Sequence, residues 1–268
     1  MSVSLKSKVV WITGASSGIG EAMALAFASE GSQLILSARR QVELERVKEK
    51  CLKLNQIEVT ILLLDLEDAN SLEAKTMEAE GLYGHVDILI NNGGISQRDR
   101  IINTDLSVHR RLMEVNYFGS IALSKFLLPN MIKRKIGHHV VITSAVGIIS
   151  TPFRSGYAAS KHALHGWYDA LRSEHYDDDI HVSLICPGYI RTNISYNALM
   201  GKGEKQNSMD NAQENGMAPE KFARLALKAI KSKKEEVYIG GFKEKLGIYV
   251  KRYFPKVFSI MVRKMSVT

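Results

Sequence analysis

Cysteine is scarce in this chain: Cys51 and Cys186 are the only two in 268 residues. Two thiols so far apart leave no room for a disulfide framework and show no metal-ligand spacing. That usage fits a reducing compartment, and the cytoplasm is the expected location. No run reaches the roughly 18 apolar residues that would predict a membrane-spanning helix. The opening stretch, MSVSLKSKVVWITG, leads directly into a strand pattern with no apolar region or cleavage site ahead of it, so no leader is expected. Internal repeats and low-complexity tracts are absent as well. What remains, with 45% hydrophobic and 24% charged residues, is the composition of an ordinary globular domain with a sizeable core.

A net charge of +8 would point to nucleic acid if it were spread over the molecule. It is not. Residues 243–268 carry seven basic side chains (Lys243, Lys245, Lys251, Arg252, Lys256, Arg263 and Lys264) against Glu244, which leaves only +2 for residues 1–242. The body is nearly balanced, and a nucleic-acid partner is not expected.

Strand patterns fall at 8–13, 33–38, 59–64, 86–90, 139–143 and 181–186, with a short late one at 237–240. Helical patterns fall between them at 21–30, 42–54, 71–80, 105–134, 155–176 and 219–231, the last opened by Pro219 in its first turn. The strands are apolar throughout instead of at alternate positions, which indicates a parallel sheet covered on both faces. The expected fold is therefore α/β: a doubly wound parallel sheet of Rossmann type over residues 1–242, as a single domain, followed by a basic amphipathic extension over 243–268. Residues 192–218 show no period, and a loop of that length inside a compact domain is more often functional than idle.

Between the first strand and the first helix stands Thr13-Gly14-Ala15-Ser16-Ser17-Gly18-Ile19-Gly20. Glycines let the backbone approach a pyrophosphate, and a helix N-terminus offers free N–H groups and partial positive charge. The spacing is G-x-x-x-G-x-G, not G-x-G-x-x-G, and it lacks the Lys-Ser/Thr of a nucleotide-hydrolysing loop. A plain glycine turn would look similar, so the motif alone favours dinucleotide binding by a modest margin.

The motif resembles the cofactor turn of the short-chain dehydrogenase/reductase family, and five further features follow in that family's order. They are Asp65-Leu66, Asn91-Asn92-Gly93-Gly94 after the fourth strand, and Asn116 within a helical pattern. Ser144 with Tyr157-x-x-x-Lys161 comes next, then Pro187-Gly188-Tyr189-Ile190-Arg191-Thr192. The stretch PFRSGYAASKHAL resembles the member 7 branch of the family. The resemblance implies that Gly14, Ser16, Ser17, Gly18, Ile19, Gly20 and Asn92 hold a nicotinamide dinucleotide, with Asp65 at its adenine edge. It implies that Pro187, Gly188, Ile190 and Thr192 hold the nicotinamide end, which Tyr157 and Lys161 also touch. Gly93 departs from the family, which usually has alanine there; a lost methyl should be tolerated.

An NAD-binding fold of this kind places a carboxylate about 20 residues beyond the glycines. Here Ala38 ends the second strand and Arg39-Arg40 follow. With no acid to repel a 2′-phosphate and guanidinium groups to bind it, NADP(H) is the expected cofactor, with Arg39 as its first contact and Ser37 as a helper. Two arginines that merely begin a solvated helix are the weaker reading.

Tyrosine is a poor acid or base at neutral pH, with a reference pKa of about 10, and a nearby ammonium lowers it. Tyr157 and Lys161 stand four apart on a helical pattern and share a face. The family resemblance makes Tyr157 the general acid/base, Ser144 a donor to the substrate oxygen, and Asn116 the holder of a water that links Lys161 to solvent. The expected activity is interconversion of a carbonyl and a primary or secondary alcohol. The alternative is a catalytically silent nucleotide-binding or scaffold protein on the same fold, which would have no use for an acid/base tyrosine. Val146 and Phe153, with Ser144 and Tyr157, are expected on the substrate side, beside Ile148 and Ile149. Ile194, Tyr196, Leu199 and Met200 would close over them, which suits a lipophilic substrate. Core packing explains these apolar residues equally well.

His138-His139 and the His162, His165 pair invite a metal, but no third ligand accompanies them at a recognised spacing, and none is assigned. The resemblance implies a homodimer or homotetramer built partly on the helices at 105–134 and 155–176. The extension at 243–268 is expected to pack on the core or a subunit, the commoner role for such a segment. Contact with an anionic membrane surface is its second reading.

Overall fold

Seven apolar stretches become strands in a computed structural model, which describes residues 3–263. They are β1 (Val9–Thr13), β2 (Gln33–Ala38), β3 (Val59–Leu63), β4 (Ile88–Asn91), β5 (Gly137–Ile142), β6 (Ile180–Pro187) and β7 (Glu236–Ile239). All pair in parallel in the order β3-β2-β1-β4-β5-β6-β7. The helices are α1 (Gly18–Ser29), α2 (Gln41–Leu54), α3 (Leu72–Tyr83), α4 (Leu106–Met113), α5 (Gly119–Arg134) and α6 (Ser155–Glu174). They continue with α7 (Asn211–Glu214), α8 (Pro219–Lys231), α9 (Phe242–Tyr253) and α10 (Pro255–Arg263).

Alternation within each strand divides the core in two. Val10 and Ile12 of β1 join Leu34, Leu36, Ile88 and Ile90 against α1, α2 and α8, where Phe27, Leu44, Val47 and Phe222 are buried. Val9 and Trp11 point the other way, with Ile35, Leu89 and Leu184, onto α3, α5 and α6. Both faces of the sheet are apolar because both are covered, and each large side chain so buried contributes roughly 1.5–3 kcal/mol. Trp11 satisfies its indole by donating to Ser37 Oγ at 2.8 Å. The doubly wound, single-domain fold expected from the sequence is what forms.

Three local expectations change. The helix read at 105–134 is broken into α4 and α5 by a wide π-helical turn at Glu114–Phe118. Asn116 lies in that turn, its side chain tied to the backbone of Ile95, and the Ser120 hydroxyl donates to the Asn116 carbonyl at 3.0 Å. Such insertions are characteristic of functional positions. The stretch 192–218 gains α7 and three isolated bridges, Gln97–Leu199, Ile190–Met217 and Leu199–Lys205. The extension forms α9 and α10, divided at Pro255, which removes a backbone donor. Ile248 and Phe258 bury against Ala145 and Ile149, and Lys251 Nζ donates to the Ile148 carbonyl at 2.6 Å. Lys264, counted in the basic tail, lies outside the described residues.

The end of the sheet away from the glycine turn is fastened by Asp87, 4% exposed. Its carboxylate takes Arg134 Nη2 at 2.6 Å and the Val9 amide at 3.1 Å, with Lys8 and His85 nearby. Burial by itself would raise this carboxyl; the Arg134 bond, the Val9 amide and the neighbouring Lys8 and His85 outweigh it and hold it below its ordinary value. A depressed folded-state pKa adds stability above the unfolded value of about 3.9 and loses it as pH falls through the folded one. Arg134→Ala is expected to cost about 3 kcal/mol at pH 7 in urea unfolding, and the gap from wild type should narrow below pH of about 4.

Candidate active site

The strand order reverses between β1 and β4, and a cleft of about 450 Å³ opens at the C-terminal ends of these strands, where doubly wound folds bind ligands. A smaller hollow of about 350 Å³, lined by Lys8, Asp87 and His138, lies at the opposite end of the sheet and has no such role in this architecture. Gly14 and Gly18 line the cleft with φ of +64° and +59°, a region that side chains disfavour. A Cβ at Gly20 would run into the Gly14 carbonyl. The fourth-strand asparagine braces this turn: Asn92 Nδ2 donates to the Thr13 carbonyl at 2.9 Å, and the Asn92 and Gly93 amides both donate to Thr13 Oγ1. Leu66 Cδ1 stands 2.6 Å from where a Gly93 methyl would be, so leucine fills the space that the missing methyl leaves.

Arg46 of α2 clamps Glu21 of α1 with two bonds of 2.7 Å and reaches the Ser16 carbonyl, so the far wall of the turn is fixed too. The Arg46 bond is the main reason that Glu21 is held down to about 2, ahead of the opposing effect of burial. Ser16, Ser17, Ile19, Asp65, Asn92 and Thr192 line the cleft as expected, and so does Arg39, which faces Asp65 across it at 3.9 Å. Arg40, named beside Arg39 in the sequence but not as the first contact, also lines it and donates to Ser16 Oγ at 3.2 Å. Pro187, Gly188 and Ile190 are not among the lining residues. Pro187 closes β6, the Gly188 amide bonds to the Ile239 carbonyl, and Ile190 is buried in the core. Together they lead the chain from β6 to Thr192, which lines the cleft.

Three separate elements bring the four catalytic candidates together, all buried: Asn116 from the π-helical turn, Ser144 from the end of β5, Tyr157 and Lys161 from α6. The Ser144 side chain lies near enough to the Tyr157 phenol to lower its pKa, and its hydroxyl accepts from the Val146 amide at 3.1 Å. Lys161 Nζ donates to the Ile142 carbonyl at 2.9 Å and stands 6.0 Å from the centre of the Tyr157 ring. Asn116 uses its amide to pin the Ile95 backbone and to donate to Ser160 Oγ at 2.9 Å, which locks the loop after β4 to α6.

Burial raises the Tyr157 phenol, and Ser144 with the Arg98 and Arg154 charges offsets this only in part. The phenol is thus a proton carrier at neutral pH, able to donate to an oxygen that gains charge. Burial pushes the Lys161 ammonium down to about 8, which still leaves it mainly charged at pH 7.

Sequence reasoning missed the groups behind this site. Arg98 and Arg154, 5% and 2% exposed, converge on Asp210 Oδ2. Arg98 reaches that oxygen at 2.8 and 2.7 Å and also donates to Ser96 Oγ and the Gln97 carbonyl. Asp210 belongs to the aperiodic stretch, and Leu199 of the same stretch exchanges backbone bonds with Ser96 and Arg98. The stretch is latched over the site by an ion cluster whose members lie far apart in sequence; no spacing could have revealed it. Val108, Leu112, Val146 and Leu199 pack with Tyr157. Phe153 is half-buried at φ +64° and is not part of that packing, while Ile149 turns to α9 and α10. His138 pairs with Ser183 Oγ, His162 with the Ala158 carbonyl and His165 with Thr143 Oγ1. Among the described residues, no three potential metal ligands gather.

The family model for short chain dehydrogenases matches residues 8–201. The chain belongs to the short-chain dehydrogenase family. Human dehydrogenase/reductase SDR family member 7 is 44% identical over 255 residues, covering 94% of this chain and 75% of that protein. A Drosophila melanogaster dehydrogenase/reductase SDR family protein 7-like is 42% identical over 266 residues, covering 98% and 82%. Among solved structures, a short-chain dehydrogenase from Streptomyces avermitilis superimposes with a TM-score of 0.83 at 28% identity, over 98% of this chain and 100% of that one. The alcohol dehydrogenase of Thermococcus sibiricus, complexed with 5-hydroxy-NADP, gives 0.76 at 27% identity, over 88% and 97%. This short-chain dehydrogenase is an oxidoreductase of the member 7-like branch, using a nicotinamide cofactor and a small-molecule substrate.

Removing Asp210 would strip Arg98 of its carboxylate in a buried setting. Asp210→Ala is expected to lower stability by about 3–5 kcal/mol in urea unfolding, and an Arg98→Met, Arg154→Met, Asp210→Leu triple variant to recover most of that loss.

Proposed function

We propose that the protein is an NADP(H)-dependent oxidoreductase that interconverts a carbonyl and a primary or secondary alcohol. The observation that carries this reading is the buried group of Asn116, Ser144, Tyr157 and Lys161, assembled from separate elements beside the glycine-lined cleft. A protein that only bound nucleotide would not need a buried phenol beside a serine hydroxyl and standing over a lysine.

The cleft fits a phosphorylated dinucleotide. Its glycines leave room for a pyrophosphate at the N-terminus of α1, and Arg39 and Arg40 stand at the end of β2, where an NAD-binding fold has a carboxylate. Both guanidinium groups would hold a 2′-phosphate. The Thermococcus sibiricus relative, solved with an NADP derivative, supports the same choice. When bound, the cofactor supplies or accepts the hydride. The proton is the chain's task. In reduction the Tyr157 hydroxyl gives its proton to the substrate oxygen, and Ser144 donates a hydrogen bond to that oxygen as charge develops. The Lys161 ammonium stabilises the phenolate that remains. Asn116 keeps Ile95 and α6 in register around them.

The wall around Tyr157, formed by Val108, Leu112, Val146 and Leu199, suits a lipophilic substrate. Ile101, Ile102, Leu106 and Phe118 are exposed on or near α4 and α5, an apolar surface that fits assembly into a homodimer or homotetramer. Two buried, unpaired cysteines fit a cytoplasmic protein.

Titration with NADPH and NADH, followed by fluorescence, tests the cofactor reading. NADPH should bind more tightly, and Arg39→Ala should weaken it about tenfold while leaving NADH unchanged. Tyr157→Phe should bind NADPH as wild type does and lose about 10²–10⁴-fold in turnover over a panel of lipophilic carbonyls. Binding of neither nucleotide would favour the catalytically silent alternative.

A further inference from the structure

The two C-terminal helices meet the core along one side and turn an apolar stripe to the outside. On α9, Phe242, Leu246, Tyr249 and Tyr253 stand at i, i+4, i+7 and i+11, the spacing of a single helix face. This is the face normally buried, yet these residues are 79%, 43%, 53% and 69% exposed. Ile248, on the other side of the helix, is the residue that enters the core. Across the joint, Phe254, Val257, Ile260 and Met261 extend the exposed apolar surface along α10, while Phe258 anchors that helix.

Cations border the stripe. Lys243, Lys245 and Arg252 flank it on α9, and Lys256 and Arg263 stand on α10, all exposed. The acidic residue of the pair of helices, Glu244, is turned inward: its Oε1 lies 3.0 Å from the place a Cβ on Gly188 would take. The outward face is therefore apolar, aromatic and positive, with no exposed carboxylate among the described residues of α9 and α10.

Charge decides what covers such a face. A second copy joined about a two-fold axis would set these cations against their own equivalents, because that contact uses the same patch twice. An anionic phospholipid surface supplies the opposite charge along the rim and takes the apolar side chains at the headgroup–acyl boundary, with tyrosines at the interface. We propose that α9 and α10 seat the protein on an anionic phospholipid surface, both helices lying flat in it. The inner sides of the same helices pack on Ala145 and Ile149, in the segment that follows Ser144. The docked face and the substrate side of the site are thus two sides of one thin layer.

The test is co-sedimentation with vesicles of phosphatidylcholine alone and of phosphatidylcholine mixed with phosphatidylserine. Wild type is expected to bind the mixed vesicles at least about tenfold more strongly, with the advantage removed by high salt. A Phe254→Ser, Ile260→Ser variant keeps Ile248 and Phe258 and should fold, as checked by circular dichroism and thermal unfolding. It should lose vesicle binding with its oligomeric state, read by light scattering, unchanged. No preference by wild type for the mixed vesicles, or equal binding by the folded variant, overturns the proposal. So does dissociation of an oligomer by the variant, which would make the face a contact between copies of this chain.

Discussion

The hydrogen bonds that Thr13 and Asn92 exchange across the point where the sheet order reverses hold the rest of the site in place. β1 and β4 are neighbours there, but their chains depart in different directions, which opens the cleft. Thr13 accepts from the Asn92 and Gly93 amides, and the Asn92 side chain holds the Thr13 carbonyl. The glycine turn is thereby fixed to β4, and the loop after β4 is fixed in turn by Asn116 to α6, where Tyr157 and Lys161 stand. A continuous set of polar contacts runs from the glycine-lined cleft to Tyr157 and Lys161, and the apolar layers on both faces of the sheet keep water from competing with it.

Burial governs the electrostatics of that set. It drives the Tyr157 phenol up and the Lys161 ammonium down to about 8, moving two groups of similar ordinary proton affinity apart. Arg98 and Arg154 act on the phenol through their charges, with Asp210 between them limiting the effect. Because Asp210 belongs to the stretch that closes over the site, the position of that stretch and the charge felt by Tyr157 are linked. The C-terminal helices reach the same region from the outside, through Ile248 and Phe258.

The layered sheet was legible in the sequence because strands buried on both faces must be apolar at successive positions, as in the VVWIT stretch of β1. The glycine turn and the Tyr157–Lys161 pair were legible because each is a local relation: a turn of a few residues, and two side chains one helical turn apart. The π-helical turn at Asn116 was not, since 105–134 carries an uninterrupted helical pattern and the distortion comes from bonds to Ile95, which is distant in the chain. The course of the chain from Pro187 to Thr192 was not legible either, since it depends on the packing of β6 against β7 and of Ile190 into the core.

By itself the sequence determined the fold class, the location of the glycine turn and the shared face of Tyr157 and Lys161, because periodicity and short-range spacing encode all three; Asn116 and Ser144 were named by family resemblance. Tertiary structure alone decided that Arg98, Arg154 and Asp210 meet behind Tyr157, and that Arg40 joins Arg39 at the cleft. It also decided that α9 and α10 bury two residues and leave an apolar stripe outside. The reason is physical: burial and charge pairing depend on which distant segments arrive at the same place, and no single segment carries that information.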